Sequence, residues 1–359
     1  MKAQFNPSGK GPWGFLDPAG SYQPGLGWQE QLAFKGQSYL FQLVGIVIFV
    51  LIVGSLFVFK KYYAKTANWK WFRISIGVYQ ISTYFICYAI WAAYLAVVLK
   101  ENWFWGPSGM SKVRPLSEIM PLHLCSIHQL LSGFLLIFPS KRFFEICAPS
   151  ALVLPVLAIV NPVNPYWSLD NIFYYNYFIL HTLIIFSYIY VYKYGLVGRS
   201  YTGLLLKWQF LWLFVFSIVA VIWDGIFNAN MLYVGPNGGS PWNIGGFNVG
   251  KWNTNYVGDK YIWPLAWFWM VMLGILLILP AHVLLFFIKQ NGQYDEKTKR
   301  IIYNSKSQQN DFYGQMGKEY IFFTFKSFFW SRAKLRAEII KAKLANYFDN
   351  EIEQLLKLK

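Results

Sequence analysis

Charge is scarce in this chain, and acidic charge scarcer still. Asp, Glu, Lys and Arg make up 13% of 359 residues, with 16 acidic against 32 basic side chains. Soluble domains carry about a quarter charged residues, so an ordinary water-soluble globule is excluded. Cysteine is also sparse. Cys87, Cys125 and Cys147 all fall inside apolar runs, which leaves no disulfide framework and no zinc spacing. His123 and His128 point to different faces of one helix, so with His181 they make no metal site, and no cofactor motif is present. An N-terminal leader is missing too: the first apolar run begins near Ser38, too far in and too long for a cleavable signal.

What the chain does have is apolar length, with 56% hydrophobic residues. They fall in runs of roughly 18 or more, enough for a helix to cross the ~30 Å hydrocarbon layer. Lipid offers the backbone no partners, so such runs must be helical. The expected fold is an all-α, polytopic transmembrane bundle of about seven spans: 38–59, 71–99, 121–138, 144–160, 172–192, 204–227 and 262–288. Residues 1–37, rich in Gly, Pro and Trp, read as an external cap without periodicity. Residues 38–289 form the membrane domain, with a long outer loop over 229–261. Residues 290–359 form a basic tail in which Leu335, Ile339, Leu344 and Phe348 recur at helical spacing. That pattern predicts an amphipathic helix lying on the membrane or docking a protein partner.

The net charge of +16 does not indicate nucleic acid. Loops placed inside, with the tail, hold 24 of the 32 Lys and Arg, the positive-inside pattern. The expected location is the cell membrane, N-terminus outside and C-terminus cytoplasmic, with membrane lipids as the surrounding partners.

The densest polar cluster inside a span is Pro121-Leu122-His123-Leu124-Cys125-Ser126-Ile127-His128-Gln129. Cys125 lies about one turn below the helix start, and His128, three residues on, shares its face. In the fifth span, which runs the same way, His181 sits ~15 Å deep. A thiol with an imidazole in reach is the minimal activated nucleophile. A buried thiol is also an ordinary small hydrophobe, and a buried imidazole can simply bind helices together; the spacing leaves both open. Asp224, near the outer end of the sixth span, could orient His181 or receive a cation. A stripe of Gln80, Tyr84, Cys87, Trp91 and Tyr94 in the second span matches Tyr174, Tyr177, His181 and Tyr188 in the fifth. Such stripes serve packing or line a cavity for a planar or amphipathic ligand. Pro149 and Pro155 are expected to break the fourth span.

The segment Pro121-Leu122-His123-Leu124-Cys125-Ser126 resembles that of the YwaF-like bacterial membrane proteins. Further similarity lies in Asn161-Pro162, in His181-Thr182-Leu183-Ile184-Ile185, in Asp224 with Asn230 six residues later, and in Trp263-Pro264. It covers roughly residues 115–290; the cap, the long outer loop and the basic tail depart from the pattern. The resemblance implies seven spans. It also implies a link to an animal membrane protein that acylates ether phospholipids, whose family's Cys and His match Cys125 and His181. The implied chemistry is acyl transfer through a Cys125 thioester with His181 as base, His128 or Asp224 orienting it. The competing expectation is a carrier for a small solute, such as the aromatic vitamin riboflavin, its cavity lined by Tyr84, Trp91, Tyr177, Asp224, Asn161 and Asn230. A scaffold whose tail recruits a partner is the third.

Overall fold

The computed structural model describes residues 16, 28–97, 124–160, 172–197, 203–227, 231–236, 243–244, 247–248, 255–257, 260–288, 290–295, 298, 300–303 and 325–341. Among the described residues eight helices form the bundle: α1 (Trp28–Val58), α2 (Lys60–Ala67), α3 (Lys70–Val97), α4 (Leu124–Ile137), α5 (Lys141–Val160), α6 (Ile172–Lys193), α7 (Gly203–Phe227) and α8 (Leu265–Phe287). The chain is an all-α, multi-pass membrane bundle. Among the described residues five helices are long and apolar enough to cross a membrane, and the bent α1–α2 pair makes a sixth if counted as one span. The sequence suggested about seven. The difference is α4, whose 14 residues rise only ~21 Å, short of the ~30 Å hydrocarbon layer.

Each boundary has a local cause. Lys60 and Lys61 cannot enter hydrocarbon cheaply, so after Val58 the chain turns by 82° into α2. There Lys60, Lys61 and Lys65 stay exposed while Ala64, Thr66 and Ala67 are buried. The start of α1 corrects the sequence reading, since helix begins at Trp28, inside the stretch taken as a non-periodic cap. Pro149 and Pro155 correct it again, because both lie inside an α5 that stays continuous from Lys141 to Val160. Neighbouring helices can supply what a proline removes from the backbone ladder.

From α3 onward the helices alternate in direction, so Lys70, Lys141, Arg142, Lys193 and Lys207 gather at one end of the bundle, here the basic end. The opposite end is the far end. α6 is the central helix and packs on α1, α3, α4 and α5, whereas α7 and α8 pack on α5 and on each other. α3 and α4 approach closely where two glycines face. A Cβ on Gly133 would come within 2.9 Å of the Gly77 carbonyl oxygen, and one on Gly77 within 2.7 Å of the Gly133 carbonyl oxygen. Small residues are what let backbones meet in a membrane.

The stretch 290–303, read from sequence only as the start of the basic tail, contains an antiparallel hairpin of β5 (Gly292–Asp295) and β6 (Arg300–Tyr303). It docks on the basic end: Asn68 Nδ2–H donates to the Ile301 carbonyl (2.8 Å), and the Ile301 N–H donates to Asn68 Oδ1 (2.6 Å). The loop at the far end holds a 3-10 turn, Met231–Tyr233, and two short hairpins, β1–β2 (Asn243–Ile244 with Phe247–Asn248) and β3–β4 (Tyr256–Val257 with Lys260–Tyr261).

Candidate functional site

One buried amide sets the level of everything above it. Gln80 on α3 is 0% exposed. Its Nε2–H donates to Ser187 Oγ on α6 at 2.9 Å, its Oε1 accepts from Ser132 on α4, and its backbone carbonyl accepts from Gln129 Nε2 at 2.8 Å. Ser132 and Ser187 therefore lie side by side. α4 and α6 run in the same direction, and Cys125 is seven residues from Ser132 while His181 is six from Ser187. At 1.5 Å per residue both stand ~10 Å nearer the far end, at the same depth in the bundle.

Their settings differ. His181 Nδ1–H donates to the Tyr177 carbonyl at 2.6 Å, which fixes the neutral tautomer and leaves the lone pair on Nε2. The Tyr177 ring lies 4.4 Å from the imidazole, and its hydroxyl donates to the Ala158 carbonyl on α5 at 2.8 Å. Cys125 is half-buried at the start of α4, between Leu124 and Ser126; the Ser126 hydroxyl is 3.1 Å from that of Tyr88 on α3. No hydrogen bond joins Cys125 to His181 among the described residues.

His128 is bound elsewhere. It is 0% exposed, and its Nε2 lies 3.0 Å from the hydroxyl of Ser150 on α5. Ser150 gives its one proton to the Cys147 carbonyl at 3.0 Å, so His128 Nε2–H is the donor to Ser150, and among the described residues the buried Nδ1 has no hydrogen-bond partner. The Tyr188 ring meets the imidazole edge-on at 6.4 Å. Ser150 is the residue that sequence reasoning missed. A single hydroxyl in an apolar span carries no periodic signal; its place beside Pro149 was the one hint.

Asp224 corrects an expectation. It is 0% exposed, and its Oδ1 accepts the Met231 N–H at 2.8 Å, tying the end of α7 to the 3-10 turn. Among the described residues it makes no hydrogen bond to His181, and α7 packs chiefly against α5 and α8. Tyr84 is buried against Tyr88 at 4.9 Å, and Trp91 meets Phe173 of α6 edge-on at 6.4 Å. At Trp91 the stripe packs α3 on α6. Asn161 and Asn230 lie outside the described residues, as do Pro121, His123 and the side chain of Tyr94. Among the described residues no three His, Cys, Asp or Glu side chains cluster as metal ligands.

Beside this tier lies a cavity of about 450 Å³ between α5, α7 and α8, within the usual range of roughly 300–1,000 Å³ for ligand pockets. Leu124, the neighbour of Cys125, and Ser150, the partner of His128, are part of its wall; Leu232 and Val234 border it at the far end, Lys207 and Phe328 at the basic end. Apart from Ser150, Ser217 and Lys207 the lining is aliphatic or aromatic. Trp267 Nε1–H donates to Ser217 Oγ at 2.8 Å, so that hydroxyl is already engaged.

A model of the TMEM164 family matches residues 33–286, which takes in α2 to α7, nearly all of α8 and every described residue of the tier. No curated protein and no solved structure matches the chain. With a match over well more than half its length and a multi-pass helical bundle, the chain belongs to the TMEM164 family.

Proposed function

We propose that the chain is a membrane acyltransferase that moves a fatty acyl group from a phospholipid to a lysolipid through a thioester on Cys125. The observation that carries this reading is the apolar cavity reaching Leu124 and Ser150, alongside a tier that holds a thiol and two imidazoles. A fatty chain needs apolar wall and few hydrogen bonds, and this lining supplies that. A flavin needs several placed donors and acceptors, which three polar residues, two of them already engaged, do not provide; the lining thus favours lipid over an aromatic vitamin. The likeness of residues 121–126 to YwaF-like proteins, and the match of Cys125 and His181 to the Cys and His of a related animal family whose member acylates ether phospholipids, support the same chemistry.

In the first half-reaction His181 Nε2 takes the Cys125 proton, and the thiolate attacks the ester carbonyl. The C–S bond forms, the C–O bond breaks, and the departing lysolipid oxygen takes the proton from His181. In the second half a lysolipid hydroxyl gives its proton to His181 and attacks the thioester; the C–S bond breaks and the thiolate is reprotonated. Catalytic pairs commonly close only when substrate is in place, so the thiol and imidazole meet during turnover. The Tyr177 carbonyl holds His181 in the tautomer this needs, and His128, locked to Ser150, stiffens the wall behind them. The basic end faces the cytoplasm of the cell membrane, by the positive-inside rule.

The test is transfer of a labelled acyl chain from phosphatidylcholine to lysophosphatidylethanolamine in proteoliposomes. Cys125→Ala abolishes transfer, and His181→Ala slows it about 10²–10⁴-fold, the worth of a general base. Transfer that survives Cys125→Ala contradicts the proposal.

A further inference from the structure

Phe328 belongs to the stretch beyond the membrane domain, yet it forms part of the cavity wall at the basic end, with Lys207 and Phe210. The Phe210 and Phe328 ring centroids are 6.1 Å apart. The segment is seated rather than merely adjacent: the Arg332 guanidinium lies over the Trp208 ring at 5.5 Å, and the side chains of Ser327 and Leu335 are buried. Its neighbours Phe325 and Phe329 turn outward, 55% and 85% exposed, so this stretch offers the cavity one ring and keeps the others out. From that floor α7 climbs ten residues to Ser217, ~15 Å of wall, toward a ceiling of Leu232 and Val234. On α8, Gly274 lines the same space, and a Cβ built there meets nothing within 4 Å.

We infer that Phe328 is a chain-length gauge, the floor that sets the longest fatty acyl chain the cavity accepts. This rests on the acyl-transfer reading above, in which the chain hangs from Cys125 and descends toward the basic end. Packed aromatic rings resist compression, and a methylene with no room in an apolar pocket is discriminated against about tenfold or more. A floor supplied by a segment outside the membrane domain lets chain length be set apart from the chemistry.

The experiment uses the full chain and the variants Phe328→Ala and Gly274→Leu, each exchanged into vesicles holding equal amounts of phosphatidylcholines of graded saturated chain length. After repurification, mass spectrometry reads the lipid bound and, separately, any acyl adduct on Cys125. Phe328→Ala shifts the bound chains to longer ones, about tenfold in favour of each added methylene over the unaltered chain, and Gly274→Leu shifts them to shorter ones. Identical distributions in all three proteins overturn the inference, as does a shift in Gly274→Leu without one in Phe328→Ala. Length shifts with no Cys125 adduct uphold the floor and sink the acyl-transfer reading; an adduct with unaltered lengths does the reverse. Should Phe328→Ala fail to fold, Phe328→Leu takes its place: longer bound chains uphold the floor at Phe328, and an unchanged distribution overturns it.

Discussion

The two sides of the bundle are held together differently. In α6, 61% of the apolar span is buried, in α3, α7 and α8 only 22%, so the first is enclosed by protein while the others turn much of their surface outward. Around α6 the helices meet through polar side chains and bare backbone: the Gln80 network, the His128–Ser150 pair and the Gly77–Gly133 approach. Between α5, α7 and α8 there is instead an apolar cavity and few polar contacts. Lipid tails are as apolar as Leu, so burial alone gives helices in a membrane little reason to associate, and close packing with hydrogen bonds must do it. Where those are dense the bundle is fixed; where they are thin it leaves room for a chain. The tier of Cys125, His128 and His181 stands at the border.

Two glycines sharpen that contrast most. Gly133→Leu would drive a side chain into the Gly77 carbonyl and Ile81, and backbone cannot yield as a flexible side chain does. It should lower stability by about 3 kcal/mol or more, read from unfolding in mixed detergent micelles. Gly274→Leu, which meets open space, should stay within about 1 kcal/mol of the parent protein and gains from a better helix former. Equal losses in both would erase the distinction between the two sides.

A smaller effect is expected at the amide that joins three helices. Gln80→Leu strips interhelical hydrogen bonds from Ser187 and Ser132, each worth about 0.6 kcal/mol and at most about 1.7 in a membrane. The same unfolding assay should show a loss of about 1–3 kcal/mol. A neutral result would mean that packing alone fixes α3, α4 and α6.

The smallest effect lies outside the bundle. Asn68→Ala frees Ile301 from both of its bonds to Asn68, at about 1 kcal/mol. Amide exchange should speed up at Ile301 while α6 keeps its protection. Protection lost in both would show the hairpin to be part of the core rather than a strap on it.

How far the sequence foretold this depends on the kind of signal. Most span ends were legible because charge and hydrocarbon do not mix: the sixth span was read as 204–227 and the helix is Gly203–Phe227. The early start of α1 was not, since Trp28 to Gln37 has no apolar run. The β5–β6 hairpin was missed because the tail was read by its charge, and its anchor, Asn68, is 233 residues from Ile301. The residues of the candidate site were legible as types; helix rise alone set Cys125 about one turn down and His181 ~15 Å deep, and the Gln80 network was needed to bring them to one level. Their partners were not. Nothing in the sequence says that His128 would bind Ser150, that the Tyr177 carbonyl would orient His181, or that Asp224 would serve a turn.

The central claim is that the Cys125 thiol carries an acyl group. The intact mass of the purified chain after incubation with phosphatidylcholine tests it most directly. The expected result is a gain of one acyl group, removed by hydroxylamine and never seen in Cys125→Ala. An unmodified mass in the parent protein, or an adduct that persists in Cys125→Ala, would contradict it.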